Sequence, residues 1–218
     1  MTARAVLFDL DGTLLDSLDD LAGSMNFVLS ELGFPQHPSS VYRGFVGDGV
    51  TMLARRALPA EAGSDAIVAA AVARLREVYS RRSMAKTRPY PGIPALLDAL
   101  EARRLRKGVL SNKPHDLTLA LVAGLLGRWS FDPVFGERPG IARKPDPAAA
   151  LEAARIFGAR PHEVLYVGDT PTDLATAKAA GMLPVGAAWG FRPEAELRAA
   201  GASAIAATPR DVLGFLPE

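Results

Sequence analysis

The 218-residue chain carries 25 basic and 24 acidic residues and no cysteine, which excludes disulfides, thiolate metal sites and a cysteine nucleophile. A net charge of +1 gives no electrostatic reason to bind nucleic acid or an anionic membrane surface. With 49% hydrophobic and 22% charged residues the composition is that of an ordinary globular protein, expected as a monomer or homodimer.

The elements follow from the apolar pattern. Residues 5–10 are an apolar run of the kind buried on both faces, and their position leaves no room for a signal peptide. A cytoplasmic protein is therefore expected. From 16 to 32, Leu18, Leu21, Met25, Val28, Leu29 and Leu32 recur at helical spacing until Gly33 and Pro35 stop the helix. Helices are expected again at 49–58 and 64–82. The longest apolar run, 66–73, is far short of a membrane span. Residues 16–86 thus read as helices without a strand.

Beyond Pro89 the pattern changes. Helices at 93–103, 115–126, 147–157, 171–180, 193–200 and 209–215 alternate with strands at 107–111, 134–135, 164–168, 183–187 and 204–206. Such alternation argues for a parallel sheet with helices on both faces. The fold class expected is α/β: a doubly wound, Rossmann-like parallel sheet core with an inserted all-helical cap. Residues 1–15 and 87–218 would form the core, and 16–86 the cap.

In open parallel sheets, ligands bind outside the carboxyl ends of the strands. The first strand ends in Asp9-Leu10-Asp11-Gly12-Thr13, and the strand at 107–110 ends in Ser111-Asn112-Lys113. The strand at 164–167 ends in Gly168-Asp169-Thr170-Pro171-Thr172-Asp173, and Lys144 stands before a helix in Arg143-Lys144-Pro145-Asp146-Pro147. Singly, each is ordinary: a strand-end Asp is a turn or cap, Asp173 a first-turn carboxylate, Ser111 a loop hydroxyl, Lys144 a solvated lysine. Four such clusters meeting at one sheet edge are not.

These residues resemble the four ordered motifs of the haloacid dehalogenase superfamily of phosphatases. The first is Asp9 to Thr13, the second Ser111, the third Lys144 and the fourth Gly168 to Asp173. The resemblance implies that Asp9 is the nucleophile of an aspartyl-phosphate mechanism. Asp11 would be general acid, then base, with Ser111 and Lys144 completing the catalytic set. It also implies Mg²⁺ held by Asp9, Asp169 and the Asp11 main-chain carbonyl, with Asp173 orienting a water behind them.

Leu15-Asp16-Ser17, the loop Arg43-Gly44-Phe45-Val46-Gly47-Asp48-Gly49 and Trp189-Gly190-Phe191 are closest to the phosphoglycolate phosphatase subfamily. That likeness implies a small phosphorylated metabolite, 2-phosphoglycolate or a relative, as substrate. Asn112, Gly47 and Arg43 would bind it, the Arg43 fork pairing with a substrate carboxylate. Asp48 stands where the subfamily often has Asn, and Gly136-Glu137-Arg138-Pro139 where it often has Gly-Gly-Asp-Thr. Two other functions fit the same residues less well. One is a sugar phosphomutase on this core, the other a regulatory phosphate-accepting module, which would lack the helical insert and the Asp9/Asp11 pair. His37, His115 and His162 are expected at surfaces or helix ends, and Trp189-Gly190-Phe191 as packing at the site rim.

Overall fold

A strand with no polar side chain needs cover on both faces, and β1 (Ala5–Phe8) is buried at every position. The computed structural model describes residues 3–217. After β1 come a two-residue strand β2 (Leu15–Asp16), helices α1 (Leu18–Glu31), α2 (Val50–Ala57) and α3 (Asp65–Arg82), and a returning strand β3 (Arg88–Pro89). The remainder alternates as α4 (Ile93–Ala102), β4 (Arg106–Pro114), α5 (His115–Leu126), β5 (Val134–Glu137), α6 (Ala148–Phe157), β6 (Val164–Gly168), α7 (Pro171–Ala179), β7 (Leu183–Ala187), α8 (Glu194–Ala199) and β8 (Ala204–Ala206).

The main sheet runs β5-β4-β1-β6-β7-β8, parallel throughout. β1 lies centrally, with Phe8 paired to Val109 on one side and Val167 on the other. The chain thus changes direction across the sheet at β1, and the ends of β1, β4 and β6 lie side by side. Alternation along β1 divides its side chains. Val6 and Phe8 join a core with Leu96, Leu97, Leu100 and Leu121, while Ala5 and Leu7 pack with Ala150, Ala153, Phe157 and Tyr166 on the other face.

All strands of the main sheet fall within 5–8 and 106–206. The helical segment between them has its own apolar cluster, including Met25, Leu29, Tyr42, Leu53 and Leu75, which Leu117 and Phe191 join from the sheet side. β2 and β3 pair antiparallel, Leu15 with Pro89 and Asp16 with Arg88, and so tie the two ends of that segment together.

Several local expectations shift. β1 stops at Phe8 because the Asp9–Thr13 turn begins at once, Leu10 O accepting from the amides of Thr13, Leu14 and Leu15. β4 runs on to Pro114. Residues Ser39–Gly44 and Pro209–Phe215 are 3-10 helices, the second where a last helix was expected. Among the described residues, no helix is long and apolar enough to cross a membrane.

Candidate active site

The centre of the sheet's carboxyl edge is a buried ion cluster. Lys144 Nζ donates to Asp9 Oδ1 at 2.8 Å, to Asp173 Oδ1 at 2.6 Å and to Leu110 O at 3.1 Å. Burial and the charge of Asp173 push the Asp9 carboxyl up to about 7, against the pull of Lys144. Burial, then Asp9 and Asp173, hold Asp169 well above the ordinary carboxylate range. Burial works against the charge of Lys144, but Asp173 and Asp9 overcome it and keep the ammonium protonated.

Asp169 is oriented from two sides: Thr13 Oγ1 donates to Oδ1 at 2.9 Å and the Phe191 amide to Oδ2 at 2.8 Å. Two glycines make room for it. A Cβ on Gly12, whose φ is +88°, would come 2.3 Å from Asp169 Oδ2, and one on Gly190 would come 2.3 Å from Asp169 Cβ. The Trp189-Gly190-Phe191 group is therefore more than rim packing, and Trp189 Nε1 also donates to Thr13 O at 2.9 Å.

The donor set suits Mg²⁺. Asp9, Asp169 and Asp173, all buried, offer carboxylate oxygens within 4.8 Å of one another, and hard oxygen donors are what that ion takes. Asp173 is already committed, Oδ1 to Lys144 and Oδ2 to the amide and hydroxyl of Thr170 at 3.0 and 2.7 Å. Asp9 Oδ2 accepts no hydrogen bond among the described residues. Asp9 thus keeps one uncommitted oxygen and Asp169 accepts a single hydrogen bond on each of its own, while Asp173 supports them.

The Asp11 side chain belongs to a second group. Ser17 Oγ donates to its Oδ1 at 2.6 Å, and Lys113 Nζ lies 2.8 Å from its Oδ2. Lys113 also donates to Tyr79 Oη at 2.9 Å, so this lysine joins Asp11 to helix α3. Asp11, Lys113 and Tyr79 line a cavity of about 60 Å³ between the sheet edge and the helical segment, with Asp9, Gly47, Ser111 and Asn112 also on its wall. Ser111 is buried and its Oγ accepts from the Lys113 amide at 3.2 Å; its hydroxyl proton remains free to donate.

Asn112 holds the site together as well as lining the cavity. Its Nδ2 donates to Gly47 O and Lys144 O, each at 3.2 Å, and its Oδ1 accepts from the Lys144 amide at 2.9 Å. Gly47, at φ +121°, packs against Thr170, where a Cβ would sit 3.1 Å from Cγ2. Arg43 is exposed and donates to Gly190 O at 3.3 Å; it is not on the cavity wall. Its loop is clasped by Arg192, whose guanidinium donates to the carbonyls of Arg43, Gly44 and Val46. Asp48 accepts from Thr172 Oγ1 at 2.6 Å, while Glu137 and Arg138 pair with Arg143 and Glu152. Gly136 N donates to His115 Nδ1, and His37 Nε2 meets Ala57 O; neither histidine reaches the cavity.

Sequence reasoning missed Ser17, Lys113, Thr13, Phe191 and Arg192. Lys113 directly follows two chosen residues and Thr13 ends the first motif, so both had a signal. The Phe191 contact is a backbone one and Arg192 acts across nearly 150 positions, which no local pattern reveals.

A parallel sheet with an acidic centre and a buried lysine at its carboxyl edge defines a hydrolase of the haloacid dehalogenase type. The model of the haloacid dehalogenase-like hydrolase family matches residues 6–187, and the chain belongs to that family. It is 38% identical to a phosphoglycolate phosphatase of Rhodospirillum rubrum, over 97% of this chain and 91% of that protein. It is 34% identical to the phosphoglycolate phosphatase of Aquifex aeolicus, over 86% of each. Among solved structures, a Lactobacillus delbrueckii protein proposed to be a phosphoglycolate phosphatase superposes with a TM-score of 0.92 at 28% identity, each chain covered fully.

Proposed function

We propose that the chain is a Mg²⁺-dependent phosphoric monoester hydrolase that cleaves a small cytoplasmic phosphomonoester, 2-phosphoglycolate or a close relative, through an aspartyl-phosphate. The observation that carries this reading is Lys144 bridging Asp9 and Asp173 beside Asp169. Residues distant in sequence are assembled there into a charged centre that supports phosphoryl chemistry.

Four carboxylates (Asp9, Asp11, Asp169 and Asp173) face two ammonium groups in this site. One unscreened carboxylate 4 Å from a phosphate charge costs about 4 kcal/mol at an effective dielectric of 20, so the dianion needs further positive charge. Asp9, Asp169 and the Asp11 main-chain carbonyl would hold Mg²⁺, which when bound neutralises phosphoryl charge.

The chain's own groups do the rest. The Asp9 carboxylate attacks phosphorus as the bond to the leaving oxygen breaks, and Asp11 gives that oxygen its proton. Asp11 then takes a proton from water, whose oxygen attacks the phosphoryl group and releases inorganic phosphate and free Asp9. Lys144 and the Ser111 hydroxyl hold the phosphoryl oxygens throughout. Residues 16–86 act as a cap over a core of 1–15 and 87–218, a division supported by the cap's own apolar cluster and the paired strands at its base.

The test is phosphate release from a panel of small phosphomonoesters with and without Mg²⁺. Asp9→Asn, nearly isosteric, is expected to abolish release while leaving the fold intact. A variant keeping more than a few per cent of the wild-type rate would remove Asp9 as nucleophile. Isomer formation in place of released phosphate would assign a mutase.

A further inference from the structure

The cavity beside Asp11 has walls of Leu21, Val46, Val50, Leu53, Leu75 and Leu117. Two cations reach it. Arg76 is half exposed and turned to Asp116 at 3.4 Å, where solvent screens it. Lys113 is different: its side chain is 4% exposed. An ammonium has three N–H donors; two go to Asp11 and to Tyr79 Oη, and the third has no acceptor among the described residues.

Arg43, the residue expected to meet a substrate carboxylate, lies off the cavity wall. We propose that Lys113 reads the leaving group instead, its remaining N–H binding a substrate carboxylate, so that the site selects short phosphorylated hydroxy acids. This rests on the phosphatase reading above and names the substrate class within it.

Three features argue for it. A leaving group protonated by Asp11 must lie beside that carboxyl, and Lys113 touches the same carboxyl, so a carboxylate one carbon beyond the ester oxygen falls within the lysine's reach. Apolar walls offer nothing to replace the water lost by a polar leaving group, so an anion enters only against a buried cation. A neutral analogue leaves the third N–H of Lys113 without a charged acceptor, the situation in which sites discriminate most strongly. Size points the same way. At about 60 Å³ the cavity is well under the roughly 150 Å³ of an apolar cavity that binds benzene, so it suits a leaving group of a few heavy atoms.

The test compares kcat/KM for 2-phosphoglycolate and for 2-hydroxyethyl phosphate, which matches it in size but lacks the carboxylate. Lys113→Met and Lys113→Gln also deprive Asp11 of a partner, so both esters will slow; the ratio between them isolates the carboxylate contact. Wild-type protein is expected to prefer 2-phosphoglycolate, and both variants to lose about ten- to a hundredfold of that preference. Glycolate is expected to inhibit the wild type competitively and the variants far less. Tyr79→Phe, which removes only an acceptor of Lys113, is expected to keep the preference. A wild-type enzyme that hydrolyses both esters equally, or variants with an unchanged ratio, would overturn the role of Lys113 and leave the phosphatase reading standing. Wild-type protein that releases phosphate from neither these esters nor para-nitrophenyl phosphate would instead remove that reading, and this proposal with it.

Discussion

Lys144 is the residue on which the charge balance of the centre turns. It is the ammonium shared by Asp9 and Asp173, and both carboxylates are buried. Removing one partner of a buried ion pair costs about 3–5 kcal/mol, because the other charge is left uncompensated. Lys144→Met should therefore lower the thermal midpoint in the absence of metal and abolish phosphate release; a midpoint equal to wild type would show that solvent reaches these carboxylates. Gly190→Ala tests the second support of the site. Its new Cβ meets Asp169 Cβ and Gly12 O at 2.3 and 2.4 Å, so Asp169 must move, and the Mg²⁺ concentration giving half-maximal activity should rise; an unchanged requirement would show that the backbone yields instead. At this scale the sequence was most informative where chemistry is local. Asp9, Ser111, Asp169 and Asp173 each follow a strand that its apolar run marks, and Lys144 stands before a marked helix. Arg43 was read from the pattern of its loop and Asn112 from its place beside Ser111 at a strand end, and in the fold one binds Gly190 while the other fastens Gly47 to Lys144.

Among the elements, the two ends of the helical segment between β1 and β4 are joined by polar bonds that no periodic pattern marks. Asp20, buried near the start of α1, accepts from the amides of Lys86 and Thr87 and from Thr87 Oγ1 at 2.7 to 3.1 Å. One carboxylate thus fixes the point where the returning chain meets the first helix. Asp20→Ala would strand those buried donors, and a loss of about 2–4 kcal/mol is expected in denaturant unfolding; less than about 0.5 kcal/mol would mean that water replaces the carboxylate. The Arg192 clasp works differently, since its carbonyl acceptors lie near solvent. Arg192→Ala should raise KM several-fold with little change in the thermal midpoint, and an unchanged KM would show that the Arg43–Val46 loop keeps its place unaided. The long helices and buried strands were legible because many residues repeat one period. β2 and β3 were not, since two residues carry no period and their pairing joins positions more than seventy apart.

For the whole molecule, the acidic centre is a site of carboxylate repulsion that a divalent ion bound there would relieve. Because folded protein offers Asp9 and Asp169 together and the unfolded chain does not, Mg²⁺ held there would stabilise the fold by mass action. At a concentration 100 times its dissociation constant the gain is about 2.7 kcal/mol. For a chain of this length each kcal/mol moves the midpoint by about 2–4 °C, so a rise of about 5–10 °C is expected on adding Mg²⁺ to chelator-treated protein, without any substrate present. Asp169→Asn supplies the control. It removes one of the mutually repelling carboxylates but leaves an amide that can still meet Thr13 and the Phe191 amide, so its metal-free midpoint should equal or exceed the wild-type value. The Mg²⁺-dependent rise should then shrink to a small fraction. A wild-type midpoint unmoved by Mg²⁺, or an Asp169→Asn variant that responds as the wild type does, would mean that the ion is not held by these carboxylates. In that event the two lysines, Lys144 and Lys113, would have to balance the phosphoryl charge unaided.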